Sequence, residues 1–380
     1  MTTELAEKSV AADTGSMMIE VHRLTKQYGD FRALDTVDLS IRKGEFVTLL
    51  GPSGSGKSTL LNLISGMTSP TSGRVVINGV DATDMPTNKR GLGMVFQNYA
   101  LMPHMTVFEN IAFPLQVRGM KKAEIETRVA EVLKLIQLEN VANRRPRALS
   151  GGQQQRISLA RCIVYNPSII LMDEPLGALD KKLREDMQLE IKRLHAELGV
   201  TMLYVTHDQD EALTMSDRIV LMRNGRIEQQ GSPETLYFKP DTVFSADFIG
   251  SSNLFQGRLE GEGDTVTLTA GKDRLAVELR SEAAVGPGDE AVVLIRPENL
   301  HIADGAIPEG TNVVTATLLD TVVLGGVVRH FLRTEDGRQL VAQVLNRSDR
   351  ARPKRGAPVQ LYWQVGESRL LKADPTFSKQ

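Results

Sequence analysis

Apolar and polar residues alternate along residues 19–24 and 32–41, a period of two that predicts two strands with one buried face each. The unbroken apolar run Phe46-Val47-Thr48-Leu49-Leu50 predicts a strand buried on both faces, followed by a helix from Lys57 to about Gly66. Short strands are expected at residues 74–78 and 93–97. From Val107 to about Asn166 the period turns helical, with Ile125, Val129, Val132, Leu133 and Ile136 recurring at helix spacing, so a helical block is inserted there. Strand and helix alternate again through Asp173, residues 201–206, Ala212, residues 218–222 and residues 226–230. An α/β core with parallel strands satisfies this order.

After about Gly250 the texture changes to glycine-punctuated, β-branched runs such as Thr265-Val266-Thr267-Leu268-Thr269 and Ala291-Val292-Val293-Leu294-Ile295, with few helix signals. They predict a separate all-β domain, a small barrel of the oligonucleotide/oligosaccharide-binding type. The expected organisation is therefore a tail over residues 1–17, a core over residues 18–250 with its helical subdomain at about 98–168, and a β domain over residues 251–380. The tail carries Glu4, Glu7, Lys8 and Asp13 without an apolar block, unlike a signal peptide or anchor. No stretch approaches the roughly 18 apolar residues that span a bilayer, which leaves only a peripheral membrane role.

Composition narrows the picture modestly. A chain of 380 residues with 41% hydrophobic content can bury a large core, and its net charge of −2 carries no nucleic-acid footprint. The basic stretch Ala351-Arg352-Pro353-Lys354-Arg355 reads as a solvated loop. The one cysteine, Cys162, excludes an intrachain disulfide framework and sits in an apolar helical context as a small core residue.

The chemistry concentrates in three motifs. Gly51-Pro52-Ser53-Gly54-Ser55-Gly56-Lys57-Ser58-Thr59 fits G-x-x-x-x-G-K-[ST] between a strand and a helix. Its glycines let backbone N–H groups converge on phosphate oxygens, and the helix presents its positive dipole end to the same anion. Lys57 is placed to reach the β- and γ-phosphates of a nucleotide, and the Ser58 hydroxyl to ligate Mg²⁺. Ile169-Ile170-Leu171-Met172-Asp173-Glu174-Pro175 reads as a buried strand ending in an acid pair at the ligand edge of the sheet. Alone, such a pair is more often a solvated strand end or a helix cap; behind a phosphate loop, Asp173 suits Mg²⁺ and Glu174 an attacking water. The third motif is Leu149-Ser150-Gly151-Gly152-Gln153, which opens a helix of the inserted block.

These motifs, in this order, resemble the nucleotide-binding subunit of ABC transporters over residues 19–250. The resemblance implies an α/β phosphate-loop ATPase core with an inserted helical subdomain, followed by an all-β, OB-like (TOBE-like) domain. It also implies roles for four residues that would be unremarkable singly. Tyr28 matches the aromatic that stacks on adenine, and Gln97 the glutamine that senses Mg²⁺ and water. Asp180, in Leu176-Gly177-Ala178-Leu179-Asp180, matches an acid of the dimer interface, and His207 the histidine that contacts the γ-phosphate. Gly177 departs from the small hydroxyl residue common at its position.

By the same resemblance, residues 149–153 cap the ATP held by a second copy of the chain, so two subunits would pair head-to-tail around two ATP molecules. Asn98-Tyr99-Ala100-Leu101-Met102-Pro103-His104-Met105 resembles the surface that receives a transmembrane permease, which places the chain on the cytoplasmic face of the cell membrane. Ile295-Arg296-Pro297-Glu298-Asn299-Leu300 resembles the regulatory domain of import ATPases, which work with a substrate-binding protein. Pro103-His104-Met105-Thr106-Val107, residues 177–184 and Ala246-Asp247-Phe248-Ile249-Gly250 are most similar to spermidine/putrescine importers, with iron(III), sugar or opine-like importers as alternatives. A DNA-repair ABC ATPase would carry a long heptad insertion and a ribosomal one a second cassette, and neither pattern occurs. A small-molecule kinase would share the phosphate loop alone.

Overall fold

The computed structural model describes residues 15–177, 179–279, 285–347 and 353–374. Residues 1–14 of the expected tail, Ala178, and Ala351 and Arg352 of the basic stretch lie outside them. Two compact units divide between Pro233 and Glu234.

In the first unit the chain order is β1 (Met17–Tyr28), β2 (Phe31–Arg42), β3 (Phe46–Leu50), α1 (Lys57–Ser65), β4 (Ser72–Ile77), β5 (Val80–Asp81) and β6 (Leu92–Val95). The helical block holds α2 (Val107–Val117), α3 (Lys122–Leu135) and α4 (Gly151–Ile163). Then come β7 (Ile169–Asp173), α5 (Lys181–Leu198), β8 (Thr201–Thr206), α6 (Gln209–Met215), β9 (Arg218–Arg223) and β10 (Arg226–Gly231). Met17, expected in the tail, already pairs with Arg42.

The central sheet has the order β10-β9-β3-β8-β7-β6, parallel from β9 to β6, with β10 antiparallel at its edge. Every residue of β3 is buried because both faces of the sheet are covered. One face packs on α1 and on a second, antiparallel sheet, β2-β1-β4-β5, through Leu49, Leu60, Ile64, Val75 and Ile41. The alternation in residues 19–24 and 32–41 marks β1 and β2, and the expected strand at 74–78 marks β4, but not their segregation into a sheet of their own. The other face packs on α4 and α5 through Phe46, Met172, Leu159, Met187 and Ile191. The helical block has its own core around Val107, Ile111, Val129 and Ile157.

The second unit begins at Glu234, inside α7 (Pro233–Phe238), and continues with α8 (Val243–Phe248). These helices belong with it and not with the core, where the expected boundary at Gly250 placed them: Val243 and Ala246 pack on Val292, Leu294 and Leu371, and Arg296 ties both helices down. Its buried guanidinium donates to Tyr237 O at 2.7 Å and to Ala246 O at 2.9 Å. The strands are β11 (Asn253–Glu260), β12 (Thr265–Ala270), β13 (Asp273–Glu278), β14 (Glu290–Ile295), β15 (His301–Ile302), β16 (Thr311–Val323), β17 (Val327–Thr334), β18 (Gln339–Leu345), β19 (Pro358–Gln364) and β20 (Arg369–Lys372). They form two five-stranded antiparallel sheets, β13-β12-β11-β14-β20 and β15-β19-β16-β17-β18. Both contribute to one core, where the Phe255 and Trp363 rings lie 5.4 Å apart. Trp363 is fully buried. Trp363→Ala should therefore cost about 3–5 kcal/mol, read as a lowered unfolding transition, while nucleotide binding by the first unit persists.

Candidate nucleotide-binding and hydrolysis site

At the C-terminal edge of the central sheet, β3 turns through residues 51–56 into α1. A Cβ on Gly51 would lie 2.3 Å from Met222 O, and one on Gly56, at φ 103°, would lie 2.7 Å from Ala33 O. The loop thus runs against the backbones of β9 and β2 at a distance that admits only glycine. Lys57, 6% exposed, folds back so that Nζ donates to Gly51 O at 2.8 Å and to Pro52 O at 2.9 Å. Burial lowers its pKa, partly offset by the Glu174 and Asp173 carboxylates. Ser55 Oγ is buried without a partner. A buried ammonium and an orphaned hydroxyl within a glycine-rich loop at a helix N-terminus are groups that a polyphosphate satisfies.

Ser58 Oγ donates to Asp173 Oδ1 at 3.2 Å, joining α1 to the end of β7. Burial raises the Asp173 pKa, with the Ser58 hydrogen bond opposing it. A hydroxyl and a carboxylate oxygen so close together form part of the donor set that a hard divalent cation prefers, so these residues fit Mg²⁺.

Glu174 follows in the left-handed region at φ 43°, which costs an L residue about 1–2 kcal/mol. Its N–H donates to Val205 O at 3.0 Å, and its Oε1 lies 3.2 Å from His207 Nδ1. Parallel pairing of β7 with β8, Asp173 opposite Val205, brings these residues to one edge. Val95 pairs with Met172 one strand over, so Gln97, exposed just beyond β6, lies at the same edge. Tyr28 is half exposed at the β1–β2 turn, with the Lys26 ammonium 4.9 Å from its ring centre. Residues Ala33 and Leu34 of the following strand touch the phosphate loop at Gly56.

The pentapeptide lies elsewhere. Ser150 is the N-cap of α4 in a capping box, accepting from Gln153 N at 3.4 Å while its own N–H donates to Gln153 Oε1 at 3.1 Å. Leu149 is buried, whereas Ser150 is exposed at the helix start. Among the described residues no hydrogen bond joins 149–153 to the phosphate loop of the same chain. Asp180 caps α5 through Leu183 N at 3.0 Å. The segment after Gln97 is held from α4 and α2. Arg161 donates to Tyr99 O at 3.0 Å and to Ala100 O at 2.6 Å, and Asn110 Nδ2 to Met102 O at 3.1 Å and Thr106 O at 2.9 Å.

The sequence profile of the family described as ABC transporter matches residues 34–177, and that of the TOBE domain matches residues 293–371. The spermidine/putrescine import ATP-binding protein PotA of Rubrobacter xylanophilus is 44% identical over 355 residues, covering 93% of this chain and 93% of its own. The protein of the same name from Thermobifida fusca is 45% identical over 359 residues, again covering 93% of each. The chain belongs to the ABC transporter family. Among solved structures, a dimer of the ATP-binding cassette MJ0796 in a post-hydrolysis state, bound to ADP and phosphate, matches with a TM-score of 0.51 at 39% identity, covering 57% of this chain and 99% of that one. No helix among the described residues of this ABC transporter chain is long and apolar enough to cross a membrane.

Near this family site lies a buried acid that none of the sequence motifs marks. Glu211, on α6 and 2% exposed, accepts from Tyr204 Oη at 2.8 Å and from Thr206 Oγ1 at 2.6 Å. Burial raises its pKa against those hydrogen bonds. Asp208 caps α6, and Arg184 Nη1 donates to Asp208 Oδ2 at 2.9 Å. An acid three residues after a helix-capping aspartate is a readable signal for a helix start. Nothing local in sequence points from there to Arg184.

Proposed function

We propose that this chain is the ATP-hydrolysing subunit that energises an importer of polyamines, spermidine or putrescine. The observation that carries this reading is the meeting of Lys57, Ser58, Asp173, Glu174 and His207 at one sheet edge, in a chain whose named import ATPase relatives match along 93% of its length. Residues 51–59 would cradle the phosphates, and Lys57 would exchange its two carbonyl partners for phosphate oxygens. Tyr28 would stack on the adenine. Ser58, Asp173 and Gln97 would hold Mg²⁺, which supplies charge neutralisation of the phosphates when bound.

Glu174, oriented by His207, would polarise the attacking water, and His207 would face the γ-phosphate. Residues 149–153 would cap the ATP of a second copy: an exposed helix N-terminus with a serine and two glycines suits an anion, and among the described residues its own chain's phosphate loop makes no hydrogen bond to it. Asp180 would lie in the interface between copies. Loss of the γ-phosphate would remove the ligand shared between subunits and shift the pair toward its open state. The opening would be passed through residues 98–105 to permease subunits, with the chain on the cytoplasmic face of the membrane and a binding protein selecting the solute.

Proteoliposomes containing the chain, its permease and its binding protein test the cargo. ATP-driven uptake of spermidine or putrescine is expected; uptake confined to iron(III), a sugar or an opine-like compound would contradict it. Membrane association should require the permease, and equal binding to protein-free liposomes would count against the assignment.

A further inference from the structure

The segment that runs from residue 179 into α5 touches two functional parts of the chain at once. On one side it supports the start of α4. A Cβ on Gly152 would lie 2.7 Å from Leu183 Cδ1, and one on Gly151 would lie 3.3 Å from Leu179 Cδ2. On the other side Arg184, the next residue, reaches the turn that carries His207. Its Nη2 donates to Leu179 O at 3.2 Å and its Nη1 to Asp208 Oδ2 at 2.9 Å, while Nε lies 3.9 Å from Glu211 Oε1. That Nε is buried without a hydrogen bond, so the guanidinium is held by charge as well as by its two direct acceptors.

His207 is tethered on both sides. Before it, Thr206 Oγ1 donates to Glu211 and accepts from Asp208 N at 3.0 Å. After it, Asp208 Oδ1 accepts from Asp210 N at 2.8 Å and from Glu211 N at 3.3 Å, while its other oxygen takes Arg184. His207 itself has one described ionic neighbour, Glu174. The 179–184 segment is thus joined to the His207 turn through the Arg184 guanidinium. The planar fork matters here, because a lysine ammonium on a single stem cannot hold a backbone carbonyl and a carboxylate with the same fixed geometry.

We propose that Arg184 is a positioning residue that couples the face carrying Ser150 and Asp180 to His207, so that engagement of a second subunit and assembly of the hydrolytic centre occur together. This rests on the ATPase reading of the site. Among the described residues no hydrogen bond or ion pair joins Arg184 to the phosphate loop, so ground-state ATP binding should be left alone.

The test is steady-state ATP hydrolysis by the full chain with Arg184→Met, Arg184→Lys and Asp208→Asn, alongside thermal unfolding. Arg184→Met and Asp208→Asn should lower kcat by about ten- to a hundredfold with KM for ATP nearly unchanged, the scale of a misplaced catalytic group. Arg184→Lys should recover part of the loss. With Glu174→Gln added, Arg184→Met should still dimerise on ATP. Should Arg184→Met fail to fold, Asp208→Asn keeps the helix cap and Arg184→Lys keeps the charge, and these two decide. Wild-type kcat in the variants would overturn the coupling role, as would a kcat loss that merely tracks lost folded protein with no rescue by lysine. An unmutated chain that does not hydrolyse ATP would instead remove the ATPase reading, and this proposal with it.

Discussion

Glu174→Gln should lower ATP turnover by about a hundredfold or more while leaving ATP binding and ATP-dependent pairing of subunits intact. The amide keeps the shape of the side chain but cannot accept a proton from water, and removal of a positioned general base costs on the order of 10² to 10⁴ in rate. The local geometry makes the substitution clean. Glu174 is set at φ 43° by its backbone bond to Val205 O, which a glutamine makes equally well, and its Oε1 faces His207 Nδ1 at 3.2 Å. Lys57 and the loop glycines are untouched, so nucleotide affinity should hold. Without hydrolysis the γ-phosphate persists, and the closed pair should accumulate with Mg-ATP and fall apart with ADP. Wild-type turnover in this variant would sink the assignment of the water-polarising role.

Ser150→Arg should abolish hydrolysis with little loss of stability. Ser150 is exposed, and its capping bond is long at 3.4 Å, so loss of the cap should cost about 1 kcal/mol or less. Its proposed contact is with a nucleotide bound to another copy, and a guanidinium in place of the hydroxyl would block that close approach. The same protein should still bind ATP, because its own phosphate loop is complete. Full activity of the homogeneous variant would refute the contact between subunits.

The parts of the site that were legible in sequence are those whose chemistry is local. Residues 51–59 and 149–153 each announce a loop and a helix start within a few positions, and the fold places both as expected at the N-termini of α1 and α4. The Asp173-Glu174 pair was equally readable, since an apolar strand ending in acids marks the edge of a parallel sheet. Arg184 with Asp208 and Glu211 was not, because a chain segment and two element ends must first be brought side by side. The same limit applies to the second unit. Strand runs after Gly250 were plain, but their sharing out between two five-stranded sheets depends on register, and the attachment of α7 and α8 depends on the buried Arg296 guanidinium together with the packing of Val243 and Ala246 on Val292, Leu294 and Leu371.

If each ATP is enclosed by the phosphate loop of one copy and residues 149–153 of another, two inactive variants should complement each other. Homogeneous Ser150→Arg and homogeneous Lys57→Ala should both be inactive. Mixed in equal amounts, half of the pairs combine one chain of each kind, and each such pair holds one intact composite site, so turnover should recover to about a quarter of wild type. A mixture no more active than its separate components would contradict the shared site and leave each chain to work alone.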